Sequence, residues 1–390
     1  MGMLVLLFSL KVLAGMFSGW MLKNNPDSDT WGYHKDALVE YQLLFTHPSE
    51  YFTNLFYTGY QYGYDGILQF HNSYWNDLKT NLMVKFVSVL HLFSFGHYYV
   101  NVVLYNFLVF FGHIALVRMF QKFFKGKNTI LIITCFLLPS LLLFSSAIHK
   151  EGLIFSAISI TCYCFYDLIS LPIFSKRKML LLVLSILFIF LLRSYILIVL
   201  IPALTGWYIA YKMKSYPAIV FSLVFILSVV IFFNVNYFFP WLNMPQMVVQ
   251  KQVDFLGLGK ANSSIEISEL TPTFRSFIRN APEAISHTML RPYFRDYFVS
   301  LPLLPFIVEL MLYQFLFILF LFFRRIEPVD KPFIFFCISF SIIIFLIVGY
   351  IVPVLWAIVR YKSIYLPFLL TPLFCAVDFE KLYSFLFIKK

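Results

Sequence analysis

Long apolar runs recur along the whole chain and are separated by short polar or charged stretches. A run of about twenty apolar residues is the length that an α-helix needs to cross a hydrocarbon core of about 30 Å. The pattern therefore predicts an all-α polytopic integral membrane protein with about ten transmembrane helices. The predicted spans are 3–22, 98–120, 129–147, 151–172, 179–192, 194–211, 217–239, 298–323, 332–351 and 363–378.

Two apolar stretches do not fit a simple crossing. Residues 179–211 are too long for one span, and Arg193 divides them into a short segment and an ordinary one, so two helices are predicted to meet at Arg193. Residues 82–96 are apolar on one helical face but short, which favours an interfacial or re-entrant helix.

The basic residues between the spans predict the orientation. Basic connections alternate with basic-poor ones, and the excess of Lys and Arg in cytoplasmic loops places both termini in the cytoplasm. The basic stretches are "RMFQKFFKGKN", "SKRK", "KMK", "FFRRIEPVDK" and the final "KK". Two long loops, 23–97 and 240–297, are then extracytoplasmic, and the second contains an amphipathic helix in "TPTFRSFIRNAPEAISHTML". The whole chain, 1–390, is predicted to form a single membrane domain.

Composition supports the membrane class and excludes others. Hydrophobic residues make up 61% of the chain and charged residues 13%, with a mean hydropathy of +0.81. The net charge of +11 follows from the basic connections and gives no reason to expect a nucleic-acid partner. The five cysteines lie inside apolar runs and are predicted to be small core residues. The chain contains no glycine-rich phosphate loop, which argues against soluble nucleotides.

The first candidate for chemistry is the stretch "KNNPDSDTWGYHKD" directly behind the first apolar run. At the membrane boundary, Asp27 and Asp29 could act as a general base or bind a divalent cation, Mg²⁺ or Mn²⁺. The alternative is that Asn-Pro-Asp-Ser-Asp forms a turn and a helix cap. The sequence leaves metal dependence open.

The second candidate is the tight turn "SSAIHKEGLIF", which holds His149, Lys150 and Glu151 close to the membrane boundary. Ionisable residues at such a position are functional candidates by default. Pairing of Lys150 with Glu151 is the alternative.

Two arginines, Arg193 and Arg360, occupy similar predicted positions and require an anionic partner, because an arginine in a span costs about 2.5–3.5 kcal/mol on insertion scales. Glu309 is one internal candidate. A lipid phosphate is the other, since the arginine fork suits phosphate and further cations lie on the same predicted face. Those cations are Lys150, Arg291, Arg295 and Lys362. For Arg291 in "RPYFRDYF", an interfacial anchor is the alternative.

Together these features resemble the GT-C-type glycosyltransferases, which use polyprenyl-phosphate-linked sugars at the outer membrane face. The resemblance is carried by Asp27-Ser28-Asp29, by "HKEG", by "LLRSYILIVLIPAL" and by "GYIVPVLWAIVRYKSIYLPFLL". It implies that Asp29 or Asp27 deprotonates an acceptor hydroxyl on a glycan, lipid or protein. It also implies that His149, Lys150, Glu151, Arg193, Arg291 and Arg360 hold the lipid phosphate and the sugar. The expected location is the plasma membrane, with the active face extracytoplasmic.

Two other functions remain open on the sequence. An O-antigen-type polymerase or ligase would place the site in the second long loop, where Arg275, Arg279, His287, Arg291 and Arg295 cluster. A transporter of lipid-linked glycans predicts an internal inverted repeat and a central polar pathway, and the sequence shows no repeat.

Overall fold

The computed structural model describes residues 2–25, 28–56, 74–171, 175–213, 216–258, 261–294, 296, 301–325 and 330–387. Within these ranges the chain is helical, and its β-structure is limited to two isolated bridges, Ser264–Val354 and Arg324–Val377. The chain divides into two compact units. The first consists of Met1–Ala115, Leu142–Leu168 and Ile173–Ser194, and the second of Leu116–Leu141, Ile169–Pro172 and Tyr195–Lys390. The single membrane domain over 1–390 stays a prediction.

The first unit contains the N-terminal helices. They are α1 Gly2–Met21, α2 Asp29–Thr46, α3 Pro48–Thr53, α4 Tyr74–Ser94, most of α5 Tyr98–Phe123, most of α8 Lys150–Ser170 and α9 Lys176–Arg193. Helix α7, Pro139–Ser146, ends in this unit. Polar side chains join these helices: Asn106 of α5 donates to the Ser146 carbonyl at 2.8 Å, and Ser156 of α8 donates to the Val109 carbonyl at 3.0 Å.

The second unit contains the remaining helices. They are α6 Asn128–Ile132, α10 Tyr195–Met213, α11 Pro217–Phe238, α12 Met244–Gly257, α13 Phe274–Met289, α14 Leu304–Phe322, α15 Lys331–Ile351, α16 Leu355–Ser363, α17 Leu366–Ala376 and α18 Phe379–Phe387. An aromatic stack holds its core: Phe123 lies 3.7 Å from Phe333 between ring centroids, and Trp207 lies 4.7 Å from Phe336. The two rings of each pair are nearly parallel. The first pair joins the end of α5 to α15, and the second joins α10 to α15.

Seven of the described helices are long and apolar enough to cross a membrane, which is consistent with a helical membrane protein. They are α1, α5, α8, α10, α11, α14 and α15. An eighth crossing results if Asn128–Leu137 and Pro139–Ser146, which meet at a bend of 50°, form one broken span. These eight match eight of the ten predicted spans.

The two other predicted spans have different properties. Helix α9 carries Lys176, Arg177, Lys178 and Arg193 within its eighteen residues and is not among the seven. Helix α17 has only eleven residues. The predicted break at Arg193 is confirmed, because α9 ends at Arg193 and α10 begins at Tyr195. The predicted short helix 82–96 is the second half of α4, which starts at Tyr74.

The described part of the second long loop, 240–297, forms helices that pack on the rest of the second unit. Thr273 caps α13 by accepting from the Ser276 backbone N–H at 3.3 Å, close to the helix start that the sequence predicted. The segment before it is tied to the start of α16, since Leu355 N–H donates to the Ser263 carbonyl at 2.9 Å and Ile265 N–H donates to the Pro353 carbonyl at 2.7 Å. Helix α13 packs directly on α15, where a Cβ at Gly349 would lie 2.0 Å from the Ala284 carbonyl oxygen.

Candidate functional site

The predicted site residues fall into both compact units. Asp29, His149, Lys150, Glu151 and Arg193 belong to the first unit. Arg291 and Arg360 belong to the second unit. Asp27 and Arg295 lie outside the described residues, as do residues 57–73 of the first long loop.

Asp29 is the first residue of α2 and is exposed. Ser28 precedes it in an extended conformation, so the carboxylate sits in the first helical turn, where the helix dipole favours negative charge. The carboxylate is accessible at this position, and the N-cap residue Ser28 makes no side-chain cap hydrogen bond. Its neighbours fix the start of the helix: Thr30 Oγ1 lies 2.7 Å from Tyr98 Oη, and Trp31 Nε1 donates to the Gly19 carbonyl at 2.8 Å.

The turn between α7 and α8 is buried almost completely. Ala147 and Ile148 are fully buried, and His149 is 4% exposed. The Tyr105 hydroxyl donates to the His149 carbonyl at 2.5 Å, which fixes the backbone just before α8. Gly152 lets α8 approach this point, because a Cβ there would lie 2.4 Å from both the Ser145 carbonyl oxygen and the Tyr105 hydroxyl. The predicted turn is therefore a rigid part of the first unit.

Glu151 and Arg193 form a buried ion pair. Arg193 Nη2 lies 2.5 Å from Glu151 Oε1, and the two side chains are 12% and 3% exposed. Glu151 lies in the first turn of α8 and Arg193 in the last turn of α9, so each charge also interacts favourably with its own helix dipole. One sequence expectation is corrected here: Glu151, and not Glu309, supplies an anion to Arg193. Binding of a lipid phosphate by Arg193 stays a prediction.

Lys150 faces α2. Its Nζ lies 5.5 Å from the centroid of the Tyr33 ring, within the range of a cation–π contact. Tyr33 follows Asp29 by four residues, and residues four apart share one face of a helix. The contact therefore brings the acidic start of α2 and the buried turn before α8 to the same end of the first unit.

A buried lysine beside this turn was not selected from the sequence. Lys11 of α1 is fully buried, and its Nζ donates to Ser145 Oγ at 2.8 Å and Ser146 Oγ at 3.0 Å. His113 Nε2 lies 3.4 Å from Ser145 Oγ. The available signals were a lysine in the middle of an apolar run and two serines directly before "AIHKEG". The arrangement could not be predicted, because nothing in the sequence connects α1 and α5 to these serines.

A second group that the sequence did not single out joins α2, α4 and α5. The ring of His34 lies 5.0 Å from that of His91 and 5.3 Å from that of Tyr98, and Trp31 stacks on Tyr98 at 4.0 Å. Asn101 Nδ2 lies 2.9 Å from His91 Nδ1. Burial and the facing His91 lower the pKa of His34 to about 4, and burial also lowers the pKa of His91. Both rings are therefore neutral near pH 7.

In the second unit, basic residues gather at the end of α13. Lys362 of α16 is 4% exposed and donates to the carbonyls of Thr288 and Arg291, each at 2.9 Å. The guanidinium carbon of Arg291 lies 5.1 Å from the Tyr293 ring centroid. Arg360 stacks on Tyr361 at 5.0 Å. Burial and the nearby Arg291 lower the pKa of His287, against the opposite effect of Glu283.

Glu309 has a different role from the one proposed on sequence. Its Oε2 accepts from the Ser140 backbone N–H at 3.1 Å, and its Oε1 accepts from Ser140 Oγ at 3.0 Å and from the Tyr313 hydroxyl. The carboxylate thus binds the N-terminal turn of α7 inside the second unit. These contacts join two helices and account for a carboxylate that is 4% exposed.

Metal binding stays a prediction. Across the described ranges, no group of three or more His, Cys, Asp or Glu residues is arranged to hold a metal ion. Asp27, one of the two acids proposed as ligands, lies outside those ranges. Comparisons with protein families, with curated proteins and with solved structures found no match to this chain.

Proposed function

We propose that the protein is a membrane glycosyltransferase that transfers a sugar from a polyprenyl-phosphate-linked donor to a hydroxyl of a glycan, lipid or protein. In this proposal the chain crosses the plasma membrane ten times, with both termini cytoplasmic and the active face extracytoplasmic. The site lies at the end of the first unit where α2 begins and the buried turn enters α8.

The contact between Lys150 and Tyr33 carries the proposal. It brings the helix that Asp29 begins against a cation held at a fixed point of the buried turn. A general base and a cation for a phosphate are the two groups that such a transfer needs at one site. The sequence alone suggested Asp29 as a base and Lys150 as a cation, but it did not indicate that their helices are in contact.

The proposal assigns a role to each of these groups. The acceptor hydroxyl gives its proton to the Asp29 carboxylate while its oxygen bonds to the anomeric carbon. The bond from that carbon to the donor phosphate oxygen breaks, and the lipid phosphate leaves with the electron pair. Lys150 stabilises the charge that develops on this phosphate. The Glu151–Arg193 pair holds the end of α9 against the turn and so acts as a positioning element.

The test is sugar transfer by the purified protein in nanodiscs, from a pool of polyprenyl-phosphate-linked sugars. Loss of a general base typically costs about 100-fold or more in rate, so Asp29→Asn is expected to lose that much transfer while it stays folded. Asp36→Asn changes another exposed aspartate of α2 and is the matched control. Lys150→Gln is expected to weaken transfer, with Lys176→Gln as its control. Full transfer by a folded Asp29→Asn protein contradicts the proposal.

A second candidate function is an O-antigen-type polymerase or ligase with its site in the second unit. One observation favours it: His287 is 7% exposed, and its Nδ1 has no hydrogen-bond partner among the described residues. Arg291 lies close enough to His287 to affect its pKa. In this case His287→Ala and Arg291→Ala abolish chain elongation, seen as loss of the longer glycan products, while Asp29→Asn retains it.

Addition of a chelator tests whether sugar transfer requires a divalent cation. Transfer that is lost with the chelator and restored by Mg²⁺ or Mn²⁺ supports a cation at Asp29, whereas unchanged transfer removes the metal from the proposal.

A further inference from the structure

The second unit contains a large apolar cavity of about 1280 Å³ between α13, α14, α15 and α17. Most of its lining side chains are aliphatic or aromatic, and several of them are accessible from outside the helix bundle. Phe317 is 51% exposed, Ile318 49% and Ile338 41%. Because α14 and α15 are candidate spans, we expect these side chains to face the hydrocarbon of a bilayer. The cavity is thus a groove that a lipid chain can enter from the side.

The groove is long. It extends along α14 from Leu310 to the residues just after that helix, and along α15 from Lys331 to Phe345. At a rise of 1.5 Å per residue, about fourteen residues correspond to about 20 Å. This is more than half of a hydrocarbon core of about 30 Å, so the groove matches the length of one leaflet. An acyl chain therefore fits along it.

One end of the groove is strongly basic. Five cations from three segments of the chain line it: Lys125, Lys127, Arg324, Arg325 and Lys331. Among the described residues, no carboxylate lines the groove. Two acids next to this end, among the residues that the structure describes, cap helices. Asp330 Oδ1 accepts from the Phe333 N–H at 2.9 Å, and Asp378 Oδ1 accepts from the Lys381 N–H at 3.0 Å.

The opposite end has a different chemistry. Lys362 lines the groove there, but its ammonium donates to the carbonyls of Thr288 and Arg291. The Ser286 and Thr288 side chains are uncharged. Positive charge that can receive a ligand is therefore concentrated at the end formed by Lys125, Arg324 and Lys331, all of which are exposed.

We propose that this groove binds an anionic phospholipid of the surrounding bilayer, with an acyl chain between α14, α15 and α17 and the phosphate at the basic end. Basic sites between transmembrane helices are suited to anionic lipid head groups, and each Lys or Arg near the membrane surface contributes about 1 kcal/mol of attraction. The length of the groove selects a lipid over a free phosphate, and its cations select an anionic lipid over a zwitterionic one. The inference does not depend on the glycosyltransferase proposal, which concerns the first unit.

The test is native mass spectrometry of the whole protein, extracted from nanodiscs that contain phosphatidylcholine with or without phosphatidylglycerol. The wild type is expected to retain phosphatidylglycerol in preference to phosphatidylcholine. Lys125→Gln combined with Arg324→Gln is expected to lower the affinity for phosphatidylglycerol by about fivefold for each cation removed. Lys176→Gln combined with Arg177→Gln, which removes one Lys and one Arg from the exposed start of α9, is the matched control and is expected to leave retention unchanged.

A second pair of variants tests the groove itself. Ile338→Trp fills part of the groove and is expected to reduce retention of either lipid, whereas Ile231→Trp on the exposed surface of α11 is expected not to. Equal retention of the two lipids by the wild type, or equal loss in the basic variant and its control, contradicts the proposal. So does displacement of bound phosphatidylglycerol by added inorganic phosphate, or by polyprenyl phosphate added in equal amount to the nanodiscs. No sugar donor is present, so the result is independent of transfer activity.

Discussion

The guanidinium of Arg193 binds the carboxylate of Glu151 at 2.5 Å, and this pair connects the end of α9 to the first turn of α8. Both side chains are largely removed from solvent. A buried charge that loses its partner costs far more than an exposed one, because nothing replaces the lost water.

Removal of one member of this pair is therefore expected to destabilise the protein strongly. Arg193→Gln and Glu151→Gln alone should each lower the free energy of unfolding by about 3 kcal/mol or more. The double variant Glu151→Gln with Arg193→Gln should cost less than the sum of the two, since it leaves no unpaired charge. Thermal unfolding in detergent measures all three, and Arg177→Gln at the exposed start of α9 is the control. Additive losses would show that the pair is not coupled.

The contact of α13 with α15 depends on Gly349. A Cβ at this position would lie 2.0 Å from the Ala284 carbonyl oxygen and 2.6 Å from its carbon, and these are backbone atoms that cannot rotate away. Gly349→Ala is expected to push α13 off α15 and to cost about 1–3 kcal/mol, as overpacked cores do. Gly257→Ala is the control, because that site has open space around it. Equal melting temperatures for the two variants would contradict this close packing.

The contact between His34 and His91 predicts that the free energy of unfolding decreases at low pH. The pKa of His34 is lowered from 6.5 to about 4, and that of His91 is also lowered, so the unfolded chain binds more protons than the folded one in this window. The stability that these neutral rings provide is fully present above pH 6.5 and is lost as the pH falls through about 4. The loss for His34 is on the order of 3 kcal/mol.

Melting temperature as a function of pH measures this effect. The variant His34→Gln with His91→Gln should show a shallower fall over the same range, since neither side chain titrates. His97→Gln changes an exposed histidine and should follow the wild type. If the double variant falls as steeply as the wild type, other groups cause the acid sensitivity.

Glu309 is expected to stabilise the second unit through its acceptor oxygens. Glu309→Ala leaves the Ser140 N–H, the Ser140 hydroxyl and the Tyr313 hydroxyl without their acceptor, which should cost about 3 kcal/mol. Glu309→Gln keeps one carbonyl oxygen and should cost clearly less. Thermal unfolding compares them with Glu266→Ala, whose side chain is exposed. A larger loss in Glu309→Gln than in Glu309→Ala would rule out this role.

The helical, apolar character of the chain could be predicted from the sequence because it depends on local pattern. Eight of the ten predicted spans correspond to long apolar helices or to the broken pair, and the break at Arg193 is where the charge pattern placed it. The start of α13 could also be predicted, since a threonine cap and amphipathic spacing are local signals. Charge in the sequence correctly indicated that Arg193 required an anion.

The identity of each partner was decided by tertiary structure. Glu151 and Arg193 are forty-two residues apart, and Lys11 reaches Ser145 across one hundred and thirty-four residues, distances at which no local pattern specifies pairing. The sequence suggested Glu309 as a partner for Arg193, but in the structure Glu309 accepts hydrogen bonds from Ser140 and Tyr313. Likewise, the five cations of the groove come from connections that were recognised only as an orientation signal. Periodicity determines which residues form helices, whereas burial of their polar groups determines which helices meet.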